Sequence, residues 1–172
     1  MEMRERKSIV GAAKVSGYEE FSAVLEAVRA ALAPLGGMQT FVSRGQKVLL
    51  KVNLVAPSAP DLAVTTHPSI VKATIRLVHE CGGTVLVGDG PGVGDTLTAA
   101  RTSGIAAVVA EEGAELVPFE ETALYENMQN RLLKRIPLTK VLQDIDVRMS
   151  GNEYFRQLGE NTLCADFTQV TA

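Results

Sequence analysis

Cysteine is scarce in this chain. Cys81 and Cys164 are its only two, and their number and separation exclude a disulfide framework or a cysteine-ligated cluster built within it. Positive charge is also in short supply: 17 basic against 20 acidic side chains leave a formal net charge of -3, which argues against a surface that binds nucleic acid by neutralising phosphates. No run of about 18 uninterrupted apolar residues occurs, so no membrane span is expected. The N-terminal "MEMRERKSIV" mixes charge signs and is not followed by a continuous apolar segment, so it does not read as a secretory signal. A cytoplasmic protein is the expectation. Internal repeats and low-complexity segments are absent as well.

What is present is enough apolar material for one core: 46% of 172 residues, suited to a single globular unit. "SIVGAAKV", Ser8 to Val15, reads as a first strand. Tyr18 to Leu32 follows with Phe21, Val24, Leu25, Val28 and Leu32 at helical spacing, closed by Pro34, Gly36 and Gly37. "KVLLKVNLV" from Lys47 is the clearest strand, and its near-continuous apolar character suits burial on both faces. A Pro- and Ser-rich loop leads to "HPSIVKATIRLVHECGG", a helix with Pro68 at its start and Gly82 and Gly83 at its end. In it, His79 reads as a helix-end residue and Cys81 as a small buried one. "TVLVG" supplies the next strand. Helical segments follow within Thr96 to Glu112, broken around Gly104, then strands at "AELVPF", "RLLKRIPL" and "IDVRM", with a short helix at "TKVLQD".

Strands alternating with helices predict a three-layer α/β domain, its sheet mainly parallel and covered by helices on both faces. Residues 1–146 form that domain in this reading. Residues 147–172 read as a divergent polar tail, and the pattern is compatible with truncation there.

In an open parallel sheet, ligands bind beyond the carboxyl ends of the strands, and three segments fall there. Lys51 and Asn53 share a strand face near its exit. Lys51 either snorkels to solvent or meets an anion, and Asn53 ties down a loop or a ligand. In "TTHP", Thr66 or His67 occupies the helix N-cap, either as a cap alone or beside an anion drawn to unpaired amides. "VLVGDGPGVGDT" puts Gly88, Gly90, Gly92 and Gly94 at alternate positions after a strand. It satisfies neither the dinucleotide nor the P-loop fingerprint. It is either a tight turn or a loop whose amides approach an anion, with Asp89 suited to a metal, a hydroxyl or a basic partner. Asp95 is the expected cap of the next helix. No nucleophile elbow and no H-E-x-x-H motif occurs.

These segments, in this order, resemble the bacterial and archaeal domain of unknown function 362 family, with its K-P-N-L-V, T-T-H-P and G-D-S-P-G motifs. The matching positions are Lys51, Asn53 and Leu54; Thr65, Thr66, His67 and Pro68; and Gly88, Asp89, Pro91 and Gly92. Val52 replaces the usual proline and Gly90 the usual serine, and the resemblance runs from about Ser8 to Asp146. It implies that longer members continue into a K-L-K-T-H segment and, in many cases, ferredoxin-like cysteine motifs for iron–sulfur clusters. This chain shows neither, so no iron–sulfur cluster is expected from it alone.

Three functional classes are carried forward, with catalysis and cofactor left open. The leading one is an α/β module binding an anionic small molecule, with or without a metal, through Lys51, Asn53, Thr66, His67, Asp89, Gly90, Gly92 and Gly94. The second is part of an iron–sulfur redox protein whose cluster domain lies elsewhere. The third is a fragment or interaction subunit whose sheet is completed by self-association or by a partner chain.

Overall fold

The computed structural model describes residues 9–129, 132, 134–150 and 162–163. Ser8, Cys164 and most of the expected tail lie outside the described residues. Four α-helices, α1 (Phe21–Leu32), α2 (Pro68–Glu80), α3 (Thr96–Thr102) and α4 (Ile105–Glu111), alternate with strands β1 (Lys47–Lys51), β2 (Thr84–Asp89) and β3 (Glu115–Pro118). A hairpin of β4 (Thr122–Glu126) and β5 (Arg135–Thr139) follows, then a 3-10 turn at Lys140–Asp144 and strands β6 (Val147–Ser150) and β7 (Thr162–Leu163). The main sheet has the order β3-β2-β1-β6-β7, and every pairing in it is parallel.

β1 lies at the centre because its sequence suits no other place. Val48, Leu49 and Leu50 are all buried, which requires cover on both faces and a hydrogen-bonded neighbour on both edges. By the two-residue period, Val48 and Leu50 join Val85, Val87, Val147 and Met149 on the face covered by the α-helices, while Leu49 points the other way. On the helical side, α1 inserts Val24, Val28 and Leu32, and α2 inserts Val71, Ile75, Leu77 and Val78. Gly82 closes α2 in the left-handed region at φ +78°, where its amide and that of Gly83 bond the last turn's carbonyls.

The opposite face is covered differently. Leu49, Val117 and Leu142 form a second core with Phe119, Tyr125, Leu138 and Ile145, drawn largely from the hairpin and the 3-10 turn. The chain runs outward from β1 to β3 and then back across to β6. Parallel crossovers are right-handed, so the returning connection belongs on the face that the outgoing helices leave free. The mainly parallel α/β sheet of the expectation therefore holds. Its second layer carries a β-hairpin and a 3-10 helix, with no α-helix on that side among the described residues.

The expected first strand is not formed. Residues 9–15 adopt no strand: Gly11 lies against the backbone of Ala31 in α1 and Val15 packs on the core beneath the helices. Asp146 fixes β6 beside β1 at its start: its Oδ2 accepts the Lys47 amide at 2.8 Å and its own amide bonds the Lys47 carbonyl at 2.9 Å.

Gly88 shows how tightly the second layer sits. A β-carbon there would lie 2.4 Å from the Val117 carbonyl oxygen and 2.7 Å from the Phe119 ring. Gly88→Ala is expected to cost about 1–3 kcal/mol by overpacking, read as a lower urea midpoint at unchanged slope.

Candidate functional site

The strand order reverses direction at β1, with β2 and β3 on one side and β6 and β7 on the other. A crevice beyond the carboxyl ends of the strands is expected at such a point. Lys51, the last residue of β1, pairs in register with Gly88 on one side and Ser150 on the other. Asp89 stands one residue further along β2.

These two side chains form the centre of the site. Lys51 Nζ lies 2.6 Å from Asp89 Oδ1, with the side chains 19% and 8% exposed. The partner that the sequence demanded for a half-buried lysine is thus an internal carboxylate. The other oxygen, Oδ2, accepts the Leu54 amide at 2.9 Å, and the Asp89 backbone carbonyl accepts the Thr96 hydroxyl at 3.1 Å. The carboxylate therefore joins the end of β1 to the loop after it, and the backbone carbonyl of the same residue holds the start of α3. Lys51 also donates to the Val52 carbonyl at 3.4 Å, which leaves one of its three N–H donors without a partner among the described residues.

The loop after β1 is clipped at its base. The Asn53 amide donates to Thr66 Oγ1 at 2.9 Å, the Thr66 amide donates to the Asn53 carbonyl at 3.0 Å, and Asn53 Nδ2 reaches the Val64 carbonyl at 3.3 Å. Asn53 and Thr66 thus share one loop-fixing role. Between them the backbone is under strain: Ala63 sits at φ +52°, the one non-glycine residue with positive φ among the described residues. Two positions on, the buried hydroxyl of Thr65 has no hydrogen-bond partner, a cost of about 1–3 kcal/mol for the fold. Val55 then ties this loop to the glycine loop, its carbonyl accepting the amides of Gly92 at 3.1 Å and Val93 at 3.3 Å.

His67 is the cap of α2. Its Nδ1 accepts the Ser69 amide at 3.2 Å, its carbonyl takes the amides of Ile70 and Val71, and Pro68 has none to offer. The opening of this helix is satisfied from within. Tyr18 stacks on the imidazole at 3.8 Å between centroids, an aromatic contact with no sequence signature. Burial holds the His67 pKa below its ordinary 6.5, opposed by the charge of Glu19. Asp95 caps α3 as expected, accepting the Thr98 amide at 2.9 Å, and this bond lowers its pKa.

The four glycines divide into two kinds. Gly88 is required by the contact with Val117 and Phe119, and Gly94 by its φ of +80°. Neither reason applies to Gly90 or Gly92, where a β-carbon would meet nothing nearer than 3.8 and 3.7 Å. Sequence reasoning named Lys51 and Asp89 separately. It missed their pairing, together with the parts played by Leu54, Val55, Thr65 and Thr96. The register of two parallel strands, Lys51 beside Gly88, is the signal that would have joined the pair. No group of three or more His, Cys, Asp or Glu side chains is arranged to hold a metal among the described residues.

The model of the family described as "Domain of unknown function (DUF362)" matches residues 48–150, which contain Lys51, Asn53, Thr66, His67, Asp89 and the glycine loop, while Tyr18 lies outside them. Over 85 residues the chain is 40% identical to a thylakoid-associated protein of Synechocystis sp.. That stretch is 49% of this chain and 26% of the relative, so the match spans about a quarter of that protein's length. No solved structure matches the chain. No helix among the described residues is long and apolar enough to cross a membrane.

Two outcomes test this geometry. Asp89→Asn leaves the Lys51 ammonium half-buried without its counter-charge and is expected to cost about 3 kcal/mol or more in urea unfolding. Adding Lys51→Met to it should recover part of that loss, giving a clear coupling energy in the double-mutant cycle. Protonating His67 removes the acceptor of its cap. Because its folded pKa is lowered, the unfolded chain takes up the proton first as pH falls, so this contribution is complete above about pH 6.5 and is lost as pH drops through the folded value. Melting temperatures measured across this range should fall in the parent and fall less in His67→Asn, which keeps a capping oxygen.

Proposed function

The chain belongs to the DUF362 family, and from that membership and the geometry of the strand ends we propose that it is an α/β module binding a small molecule with an acidic head beyond β1 and β2. The observation that carries this reading is the pair of glycines, Gly90 and Gly92, that the fold itself does not require, on the loop leaving Asp89. Exposed backbone without side chains lets a bound molecule approach closely. Beside it, Lys51 keeps one N–H donor for an oxygen of that molecule, while Asp89 holds the ammonium in place.

The other residues support these. Asn53 and Thr66 fix the loop, His67 fixes the start of α2, and Gly94 makes the turn into α3. The acidic head competes with Asp89 for part of the lysine's charge, so binding is coupled to the same carboxylate that joins β1 to the loop after it. The reading is one of ligand binding; the activity of longer relatives is a separate question, and the part matched here is about a quarter of the relative named above.

The test is thermal unfolding against separate panels of carboxylates, phosphates and nucleotides, since a ligand that binds only the native state must raise its apparent stability. At least one class should raise the melting temperature. Lys51→Met should abolish the rise. Gly90→Ala and Gly92→Ala should leave the unliganded protein within about 0.5 kcal/mol of the parent and still weaken the response. Alanine variants that respond like the parent to every compound, or a parent that responds to none, would overturn the proposal.

A further inference from the structure

We propose that the molecule bound at the strand ends is an amphipathic monocarboxylate, with its head at Lys51 and an apolar body lying on the loops after β1 and β2. This rests on the binding reading above and narrows it to one chemical class.

The first ground is charge. A phosphate or diphosphate site needs uncompensated cations or free amides. Here the ammonium of Lys51 is neutralised by Asp89 at 2.6 Å, and the first amides of α2 are spent on His67. The amides of Gly92 and Val93 are spent on the Val55 carbonyl. Asp61 and Asp95 add exposed carboxylates on the same two loops. What these groups leave for a ligand is one N–H of Lys51, enough for one carboxylate oxygen.

The second ground is the set of exposed apolar side chains on the loops tied to that ion pair. Val55, Leu62, Val64, Val93 and Leu97 are all exposed, Leu62 by 63% and Val93 by 67%. They stand on the connections that leave β1 and β2, and hydrogen bonds tie those connections to the ion pair. Leu54, next to Val55, donates to Asp89; Val55 accepts from Val93; Val64 accepts from Asn53; and Thr96, next to Leu97, donates to Asp89. Exposed apolar side chains grouped around a polar centre mark a surface that gains by being covered. A body of methylene groups anchored at Lys51 would cover it. The strained Ala63 and the unpartnered Thr65 hydroxyl lie in the same segment as Leu62 and Val64, so the local backbone cost falls where the ligand would rest.

The experiment is calorimetric titration with acetate, butanoate, hexanoate and octanoate, compared with phosphate and pyrophosphate. Affinity is expected to rise about fourfold for each methylene buried, since burying one is worth roughly 0.8 kcal/mol. The double variant Val55→Ser, Val93→Ser should flatten that series, and its melting temperature should show that it remains folded. Pyrophosphate binding more tightly than octanoate would overturn this inference and leave the binding reading standing. A chain-length dependence that survives in the serine variant would also overturn it, as adsorption elsewhere. No binding by any carboxylate or phosphate would overturn the inference and count directly against the binding reading beneath it.

Discussion

Lys51 and Asp89 end neighbouring parallel strands at nearly the same level, and a lysine at that depth is tolerated only because the carboxylate is there to meet it. The same carboxylate receives the amide of Leu54, and its backbone receives the hydroxyl of Thr96. Remove the carboxylate, and two segments lose their common partner at once: the end of β1 and the loop beyond it. The central strand makes this arrangement possible. Its apolar run forces it into the middle of the sheet, and the middle of the sheet is where the strand order reverses, the point at which a crevice is expected.

Much of this was legible in advance, for identifiable reasons. The helix after "TTHP" begins at Pro68 and ends before Gly82 because both ends carry local chemistry: a cap with a proline on one side and a left-handed glycine on the other. The break at Gly104 and the cap at Asp95 are local in the same sense. Elements decided by competition were not legible. "SIVGAAKV" has strand composition, yet β2 and β6 hold the places beside β1. β4 is a short alternating segment that gains its identity only from pairing with β5, and it read as irregular chain.

The candidate site divides along the same line. Residue types suited to binding stood out: a lysine near a strand exit, an acid after a strand, glycines in series. Which of them meet was decided by strand register, and the consequence was electrostatic. An ammonium read as a receptor for an outside anion is answered from within the chain, and amides expected to be free are taken up by His67 and Val55. Counting satisfied donors changes the character of the mouth more than any single residue does. It becomes nearly neutral at its centre, with exposed apolar side chains and the carboxylates of Asp61 and Asp95 on the loops beside it.

The clip between Asn53 and Thr66 has a consequence for how such a fold diversifies. Because the two ends of the loop are bonded to each other, and Leu54 and Val55 are held to Asp89 and the glycine loop, the length of the segment beyond them is uncoupled from the sheet, as a handle is from the cup it is fixed to. Residues 56–63 are therefore a cassette in which insertions cost little, since closing a longer loop adds only slowly to the entropy lost on folding. Proteins sharing this sheet could differ in what they accept by exchanging that one segment, while the framework that holds Lys51 stays as it is.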